Sequence, residues 1–312
     1  MNKRTRILLA AGLLAASSVS AVINIDTVLV GNAGNTNDTT GYGGVSYDYH
    51  IGTYEVTNSQ YTAFLNATAA TDTHSLYNSN MGSDTHGGIT RAGSSGSYTY
   101  SVKSGFENKP VNFVSFWDAA RFSNWLTNGG GSGDTETGMY NLNGITNPTN
   151  NTVARQLDFS LGQNGVAIAS ENEWYNAAYY DGSGSYFDYP TQSNSITTAD
   201  VNYANSVGTA TDVGTYAGDG SHYGTFDQGG NLWEWNDAVV FTNLRGLRGG
   251  SFDGTSSNLQ SSFRNWSSPA NENNNIGFRV SSLAPIPEPS AYAAILGCLG
   301  LTLALMRRKG RA

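Results

Sequence analysis

The amino-acid sequence predicts one α+β domain with a large share of irregular backbone. Strand-like stretches occur near both ends of residues 22–284, and three short helices are predicted between them. Glycine- and serine-rich stretches, such as residues 87–105 and 128–138, are typical of surface loops. Strands and helices that do not alternate regularly along the chain favour the α+β class over α/β.

Four stretches combine β-branched or aromatic residues with flanking turn residues, and each is predicted to form a strand. They are TVLV (27–30), VSYDYHIGTYEV (45–56), LRGGSF (247–252) and GFRVSS (277–282).

The three helices are predicted from their first residues. In each case a hydroxyl side chain that can cap a helix is followed three residues later by Gln, Asp or Glu, and then by apolar residues at helical spacing. The pairs are Thr57 with Gln60, Ser115 with Asp118, and Ser170 with Glu173.

Residues 1–21 have the three-part layout of a secretory signal peptide: basic residues, an apolar run, and small residues ending at Ala21. An N-terminal membrane anchor is the alternative, but the apolar run is much shorter than the ~20 residues that span a bilayer. The sequence therefore predicts export.

The C-terminal end has a complementary pattern. Residues 285–290 are a proline-rich linker, residues 291–306 are an uncharged apolar run predicted to enter a membrane, and residues 307–312 are basic. A basic cluster directly after an apolar segment is retained in the cytoplasm, so the domain would lie on the other side of the inner membrane. The single cysteine, Cys298, lies in the apolar run.

Together, the Pro287-Glu288-Pro289 triplet, the apolar run and the basic cluster resemble the PEP-CTERM sorting signal of Gram-negative bacteria. The resemblance implies recognition by an exosortase and delivery to the cell surface or the extracellular matrix. A simple tail anchor is the alternative, and it also places the domain outside the cytoplasm.

Charge excludes one class of partner. Seven of the 16 lysines and arginines lie in the two terminal segments, which leaves nine against 24 acidic residues in the remainder. Nucleic acid is not expected as a partner, because phosphates require a basic surface. Divalent cations are compatible with this charge.

Six motifs follow one another along the chain: YEVTNSQYTAFL (54–65), KPVNFVSFWDAARFSNWL (109–126), ASENEWYNAAYYDG (169–182), YGTFDQGGNLWEWN (223–236), LRGGSF (247–252) and RNWSSPANENNNIGFRV (264–280). In this order, and over most of the chain, they resemble the motifs of the formylglycine-generating enzyme, or sulfatase-modifying factor, family. The resemblance implies an irregular, loop-rich fold related to the C-type lectin fold.

Catalytic members of that family hold copper between two cysteines and oxidise a sulfatase cysteine to formylglycine. The cysteine pair would fall between Phe252 and Arg264, where this chain has only hydroxyl, amide, acidic and apolar side chains. Because thiolate sulfur is what suits copper(I), copper is not expected here and no catalytic residue is assigned.

Three residues match positions that line the family's substrate groove: Trp233, Ser251 and Arg264. They indicate either a groove that survives without its reactive centre or a purely structural role, with Trp233 in the core. Both interpretations stay open from sequence alone.

The segment DQGGNLWEW matches a calcium-binding segment of the catalytic relatives. The resemblance implies four ligand residues: Asp227, Gly230, Leu232 through its carbonyl, and Glu234 through its carboxylate. Calcium prefers six to eight oxygen ligands, including carbonyls freed by a glycine turn. The alternatives for Glu234 are exposure to solvent or an ion pair with an arginine such as Arg245 or Arg248. Asn205 matches the start of a second calcium site, but the loop after it is shorter than in the family.

Three hypotheses for function follow. The first is an exported, calcium-stabilised domain that binds an exopolysaccharide or a matrix protein without catalysis. The second is an oxidoreductase of the same family that acts without the cysteine pair. The third is a structural matrix protein with no concave site. An enzyme requires acidic, basic or metal-binding groups that converge around Ser251 and Trp233.

Overall fold

The structure is a computed structural model that describes residues 23–131, 133–146, 153–218 and 220–286. The predicted signal peptide, apolar segment and basic tail lie outside these ranges, as do Cys298 and most of the linker. No helix in the described ranges is both long enough and apolar enough to cross a bilayer.

In the described ranges, the domain is formed by ten short strands and four α-helices, with two short 3-10 helices. The strands are Thr27–Val30 (β1), Tyr49–Gly52 (β2), Ile89–Ala92 (β3), Thr99–Val102 (β4), Val166–Ile168 (β5), Trp233–Val240 (β6), Leu244–Arg248 (β7), Asn265–Ser267 (β8), Ile276–Phe278 (β9) and Val280–Ser282 (β10). The helices are Asn58–Thr68 (α1), Asn80–Ser83 (α2), Phe116–Thr127 (α3) and Glu171–Tyr179 (α4). This mixture of short elements and long connections confirms the predicted α+β, loop-rich fold.

The strands form two four-stranded sheets and one hairpin. The first sheet has the order β1-β2-β10-β5, so β2 lies between the first and last strands of the described chain. The second has the order β8-β7-β6-β9, in which β6 and β9 run parallel. Strands β3 and β4 pair only with each other. The β9–β10 segment therefore contributes to both four-stranded sheets.

All three predicted helix starts are confirmed. Thr57, Ser115 and Ser170 each accept a hydrogen bond from the backbone N–H three residues ahead, and the side chain of that residue reaches back to the cap. These reciprocal bonds satisfy amide groups that the first turn of a helix leaves without partners. The helices begin where they do because of these local bonds.

The core surrounds α3, which is buried from Phe116 to Trp125. Phe122 lies at its centre, with ring contacts to Phe64 of α1 at 5.4 Å and to Phe278 of β9 at 5.4 Å. These contacts join α1, α3 and the second sheet. Edge-to-face aromatic pairs of this kind add to the stabilisation from burial alone.

Several segments differ from the prediction. The predicted strand 247–252 ends at Arg248, and residues 249–252 lie in a turn. The predicted strand 45–56 is limited to β2, and the predicted strand 277–282 is divided between β9 and β10.

Residues 87–105, predicted as a surface loop, contain the β3–β4 hairpin, in which Thr90 pairs with Ser101. Strand β6 was not predicted as a strand, because its first four residues are all buried and show no alternation. Glycine and serine residues form the turn at the tip of the hairpin. Because they are typical of loops, the short strands on either side of the turn were not predicted.

A pair of carboxyl groups holds the loop before β9 against α3. The side chains of Asp118 and Glu272 share a hydrogen bond, and Glu272 also accepts one from Asn78 Nδ2 at 2.5 Å. Burial, together with the neighbouring charge of Asp118, raises the pKa of Glu272 to about 8. Burial also raises the pKa of Asp118. The pair therefore holds a proton near neutral pH, because two adjacent carboxylates cannot both be ionised at low cost.

Candidate functional site

The turn after β7 carries Ser251. Gly249 and Gly250 both have positive φ, at 97° and 76°, and a Cβ atom on Gly249 would lie 2.8 Å from the Gln228 carbonyl oxygen. The turn packs on the preceding glycine turn, since Gly230 N–H donates to the Gly249 carbonyl at 2.9 Å. Glycine is needed here for backbone conformation and for close approach.

Ser251 and Trp233, both predicted from the resemblance, are brought together through two residues that the sequence reading missed. Ser251 is buried, and its Oγ donates to Asp253 Oδ1 at 2.6 Å. Asn275 Nδ2 donates to both oxygens of Asp253, at 3.2 and 3.3 Å. The Asn275 carbonyl accepts from Trp233 N–H at 2.9 Å. Asp253 is therefore the acceptor that organises this part of the site.

Arg264 adjoins the same surface through Phe263, whose ring lies 6.0 Å from that of Trp233. The guanidinium of Arg264 is paired with Glu171: Nε lies 2.7 Å from Oε1, and Nη2 lies 2.5 Å from Oε2. Bidentate pairing of this kind fixes the orientation of the arginine. We refer to Trp233, Ser251, Asp253, Phe263, Arg264 and Asn275 as the Ser251 surface, in which Trp233 and Ser251 are themselves buried.

Two arginines share a single carboxylate beside this surface. Arg248, which is fully buried, also pairs with Glu171, with Nη2 to Oε1 at 2.8 Å. The Tyr42 ring centre lies 4.7 Å from Arg248 Cζ and 5.3 Å from Arg264 Cζ. One positive charge is therefore left over, and the side chain of Arg264 is 26% exposed.

The stretch between Phe252 and Arg264, where the resemblance would place a cysteine pair, forms a turn with a short 3-10 helix. Residues 256–259 form a 3-10 helix that Thr255 and Asn258 cap reciprocally, and Leu259 is buried beneath it. The hydroxyl and amide side chains here form hydrogen bonds within the turn, such as the bond from Thr255 N–H to Asn258 Oδ1 at 2.9 Å. The described residues include no cysteine, so none of them brings a thiolate to this turn.

One imidazole lies close to the Ser251 surface. The ring of His86 stacks on Phe252, with centroids 5.5 Å apart and planes 17° apart. His86 Nδ1 is 2.9 Å from Asp84 Oδ1, so the carboxylate orients the ring. His86 and Phe252 are far apart along the chain, so the sequence alone does not place them together.

The predicted calcium segment contains an ion pair that the sequence reading did not identify. Glu234 accepts from Arg279, with Nε to Oε2 at 2.6 Å and Nη2 to Oε1 at 2.7 Å, and from Trp174 Nε1 at 2.8 Å. Neither arginine suggested as a partner is involved. Arg248 pairs with Glu171, and Arg245 donates to backbone carbonyls of residues 153 and 237.

A third acidic residue lies in the same buried region. Glu55 is 1% exposed and accepts from Leu232 N–H at 3.2 Å and from Asn231 Nδ2 at 3.0 Å. Burial, followed by the charges of Asp227 and Glu234, raises its pKa well above the usual range. Burial also raises the pKa of Asp227 to about 6, although Gly214 N–H donates to its Oδ2 at 2.6 Å.

The four predicted calcium ligands differ in how well they fit the ion. Arg279 occupies both oxygens of Glu234, so a divalent cation there would lie against a guanidinium group. The backbone carbonyls of Asp227 and Gly230 receive no hydrogen bond from the described residues. No group of three or more His, Cys, Asp or Glu side chains in the described ranges is placed to hold a metal ion. Carbonyl ligation of calcium therefore stays a prediction, and Glu234 fits poorly.

Asn205, predicted for a second calcium site, is exposed, and its backbone N–H donates to the Phe252 carbonyl at 2.7 Å. The neighbouring Ala204 N–H donates to the Gly254 carbonyl at 2.9 Å. This loop therefore supports the turn that carries Ser251. The second site also stays a prediction.

Comparisons with known proteins agree with this architecture. The family model described as the sulfatase-modifying factor enzyme 1-like domain matches residues 26–283. The solved structure of Treponema denticola variable protein 1 aligns with a TM-score of 0.54 and 19% identity, over 83% of this chain and 95% of that one. A crystal structure of CarF aligns with a TM-score of 0.52 and 20% identity, over 83% of this chain and 98% of that one.

The search of curated proteins found no match to the sequence. At this level of identity the two solved structures establish similarity of fold alone. The family model covers most of the chain and includes every element from β1 to β10. The chain belongs to the sulfatase-modifying factor family.

Proposed function

We propose that this protein is an exported binding domain that uses the Ser251 surface to hold an extracellular polysaccharide, without catalysing a reaction. The observation that carries the proposal is the internal pairing of the polar groups there. Asp253 accepts from Ser251 and Asn275, and Glu171 is bound by two arginines. A catalytic acid or base must instead be free to exchange a proton with a substrate.

The chemistry of the surface suits a sugar polymer with acidic groups. Phe263 supplies a partly exposed aromatic ring, and Asp253 is an exposed acceptor, whereas Trp233 is buried in the core and supports Phe263 from within. The Arg248 and Arg264 pair leaves one positive charge over Glu171, in a protein whose formal net charge is −8. A carboxylate on the ligand would therefore be attracted to this position and repelled by much of the remaining surface.

Retention on the exopolysaccharide of the producing cell tests the proposal. The full chain is expected to be retained, and Arg264→Met is expected to weaken retention several-fold. Arg91→Met is the matched control, because Arg91 is 30% exposed and is also paired, with Asp72 at 3.0 Å. Equal retention of both variants, or of an unrelated acidic protein, would discard the proposal. Retention of a matrix protein in place of the polysaccharide would also reject it.

We also propose that calcium stabilises the domain through the carbonyl oxygens of Asp227, Gly230 and Leu232. The turn at Gly230 frees such oxygens, and the acidic side chains of Glu55 and Asp227 lie in the same buried region. Binding to the folded state alone raises the melting temperature. A melting temperature that does not change between excess calcium and excess chelator would remove this proposal.

The terminal segments support the proposed location. A leader at residues 1–21 and an apolar segment at residues 291–306 followed by basic residues suit export through the inner membrane and processing by an exosortase. Comparing the mass of the surface-located protein with that of the full chain tests processing. A mass that still includes residues 291–312 would reject it.

The second candidate function is an oxidoreductase, and the Asp84–His86 pair is the specific observation that favours it. A carboxylate that orients an imidazole beside Phe252 supplies a base near Ser251. Oxygen uptake by the full chain with a cysteine peptide and copper measures this activity. Uptake that His86→Gln abolishes would replace the binding proposal.

A further inference from the structure

A pocket of about 320 Å³ lies where the two ends of the described chain meet. The end of α3 forms one wall, with Trp125 and Leu126, and Val166 at the start of β5 forms another. Ile23, at the start of the described chain, and Pro285 and Ile286, at its end, also line the pocket. Both ends of the domain therefore leave it beside this pocket.

The lining of the pocket is mainly apolar, and most of its polar groups are already bonded. Thr127 Oγ1 donates to the Val166 carbonyl at 3.1 Å and accepts from Val166 N–H at 2.9 Å. Ser282 Oγ donates to the Ala284 carbonyl at 2.6 Å. Trp125 Nε1 donates to the Gly131 carbonyl at 2.7 Å. The pocket thus suits apolar side chains better than a polar ligand.

The next segment of the chain has that composition. Residues 287–312 follow directly from Ile286 at the pocket, and the apolar run begins at Ala291. Five residues span at most ~17 Å, so the start of the run remains within reach. Tyr292, Ile295 and Leu296 have the i, i+3, i+4 spacing that places side chains on one face of a helix. A cavity of roughly 150 Å³ holds a benzene ring, so this pocket has room for about two such groups.

We propose that this pocket binds residues 291–296 of the chain's own C-terminal segment whenever that segment is outside a membrane. The 16 residues from 291 to 306 make a helix of about 24 Å, already short for the ~30 Å hydrocarbon core. With residues 291–296 in the pocket, the remaining ten residues would form a helix only about 15 Å long. Docking and insertion therefore exclude each other, and the pocket shields the start of the run from water until a bilayer is available.

Disulfide trapping in the full chain tests this proposal. Cys298→Ser removes the native thiol, and Asn164→Cys with Ile295→Cys places one thiol on the exposed rim of the pocket and one in the segment. Thr90→Cys with Ile295→Cys is the control, because Thr90 is exposed on the β3–β4 hairpin. We expect the intramolecular disulfide to form at least several-fold more in the first pair than in the control. Phosphatidylethanolamine and phosphatidylglycerol vesicles should reduce it to the control level.

A variant in the segment leaves the domain intact and sharpens the test. Leu296→Asp should abolish the disulfide between residues 164 and 295 while the domain remains folded, which circular dichroism checks. Equal trapping in the two cysteine pairs would overturn the proposal, and so would trapping that Leu296→Asp or vesicles leave unchanged. Lipid that copurifies in the pocket while the disulfide fails to form would also overturn it.

Discussion

Arg279 in the segment between β9 and β10 binds both carboxylate oxygens of Glu234 in β6, and both side chains are fully buried. The guanidinium also donates to the Gly52 carbonyl at 3.0 Å and to the Phe226 carbonyl at 2.8 Å. One residue thus joins β2, β6 and the turn before the predicted calcium segment. The pair holds together the two sheets and the segment next to the Ser251 surface.

Glu234→Gln should strongly destabilise the protein, because it leaves a buried guanidinium without a counter-charge. Breaking a buried pair by removing one partner costs roughly 3–5 kcal/mol. The measurement is the free energy of unfolding from urea titration. Glu107→Gln is the control, because Glu107 is exposed, and it should change stability by no more than about 0.5 kcal/mol. Equal effects of the two substitutions would show that the pair contributes nothing.

Gly230→Ala and Gly208→Ala form a matched pair that separates backbone conformation from crowding. Both glycines have positive φ, at 80° and 81°, but a Cβ on Gly230 would lie 2.1 Å from the Asn202 carbonyl oxygen, whereas nothing lies within 4 Å at Gly208. Gly208→Ala should cost about 1–2 kcal/mol from the left-handed backbone alone. Gly230→Ala should cost about 1–3 kcal/mol more, as overpacking does. Urea unfolding measures the loss of stability in both variants. Similar losses would contradict a close approach between Gly230 and the Asn202 carbonyl.

Stability should fall as pH rises from the ordinary glutamate pKa to about 8, owing to the carboxyl pair of Asp118 and Glu272. The folded-state pKa of Glu272 is raised to about 8. Its stabilising contribution is therefore complete below the ordinary glutamate pKa and is lost as pH rises through the folded-state value. Glu272→Gln, which retains a hydrogen-bond donor for Asp118, should flatten this decline. Unfolding midpoints measured from pH 5 to pH 9 provide the check, and parallel curves for the two proteins would rule out the shared proton.

The opposite dependence is expected at acidic pH from Glu173. Burial alone would raise its pKa, but Arg155, with hydrogen bonds from Ser170 and Tyr47, lowers it to about 2. Its contribution is present above the ordinary glutamate pKa and is lost as pH falls through about 2. Arg155→Met should make the protein much less stable at neutral pH and reduce the acid-dependent loss. Unfolding midpoints between pH 2 and pH 6 test this, and an unchanged slope in the variant would contradict it.

Local features of the fold were predictable from sequence, and long-range pairings were not. The caps at Thr57, Ser115 and Ser170 were predicted because each depends on bonds that span three residues. Strand β1 was predicted with its observed bounds, since its turn residues lie next to it. Strand β6 was missed because buried strands lack the alternation that identifies exposed ones.

In the candidate site, long-range contacts were likewise not predictable from the sequence. Ser251 and Trp233 were found by resemblance, whereas Asp253, Asn275 and His86 were not. Asp253 lies only two residues after Ser251, but the sequence gives no sign of which acceptor a serine uses. The partner of Glu234 was sought among nearby arginines, yet Arg279 lies 45 residues further along the chain. Contacts of this kind are set by strand order, which composition and spacing do not determine.

The position of β2 between β1 and β10 has a consequence for how the chain reaches its native state. Until residues 280–282 have been synthesised, β2 has one neighbour in place of two, and β5 has no strand beside it. Closing a connection of more than 200 residues is slow, since its entropy must be lost before the pairing stabilises anything. Cooperative collapse of the described domain is therefore delayed until residues 280–282 have been synthesised, and the first sheet is completed only by its last strand.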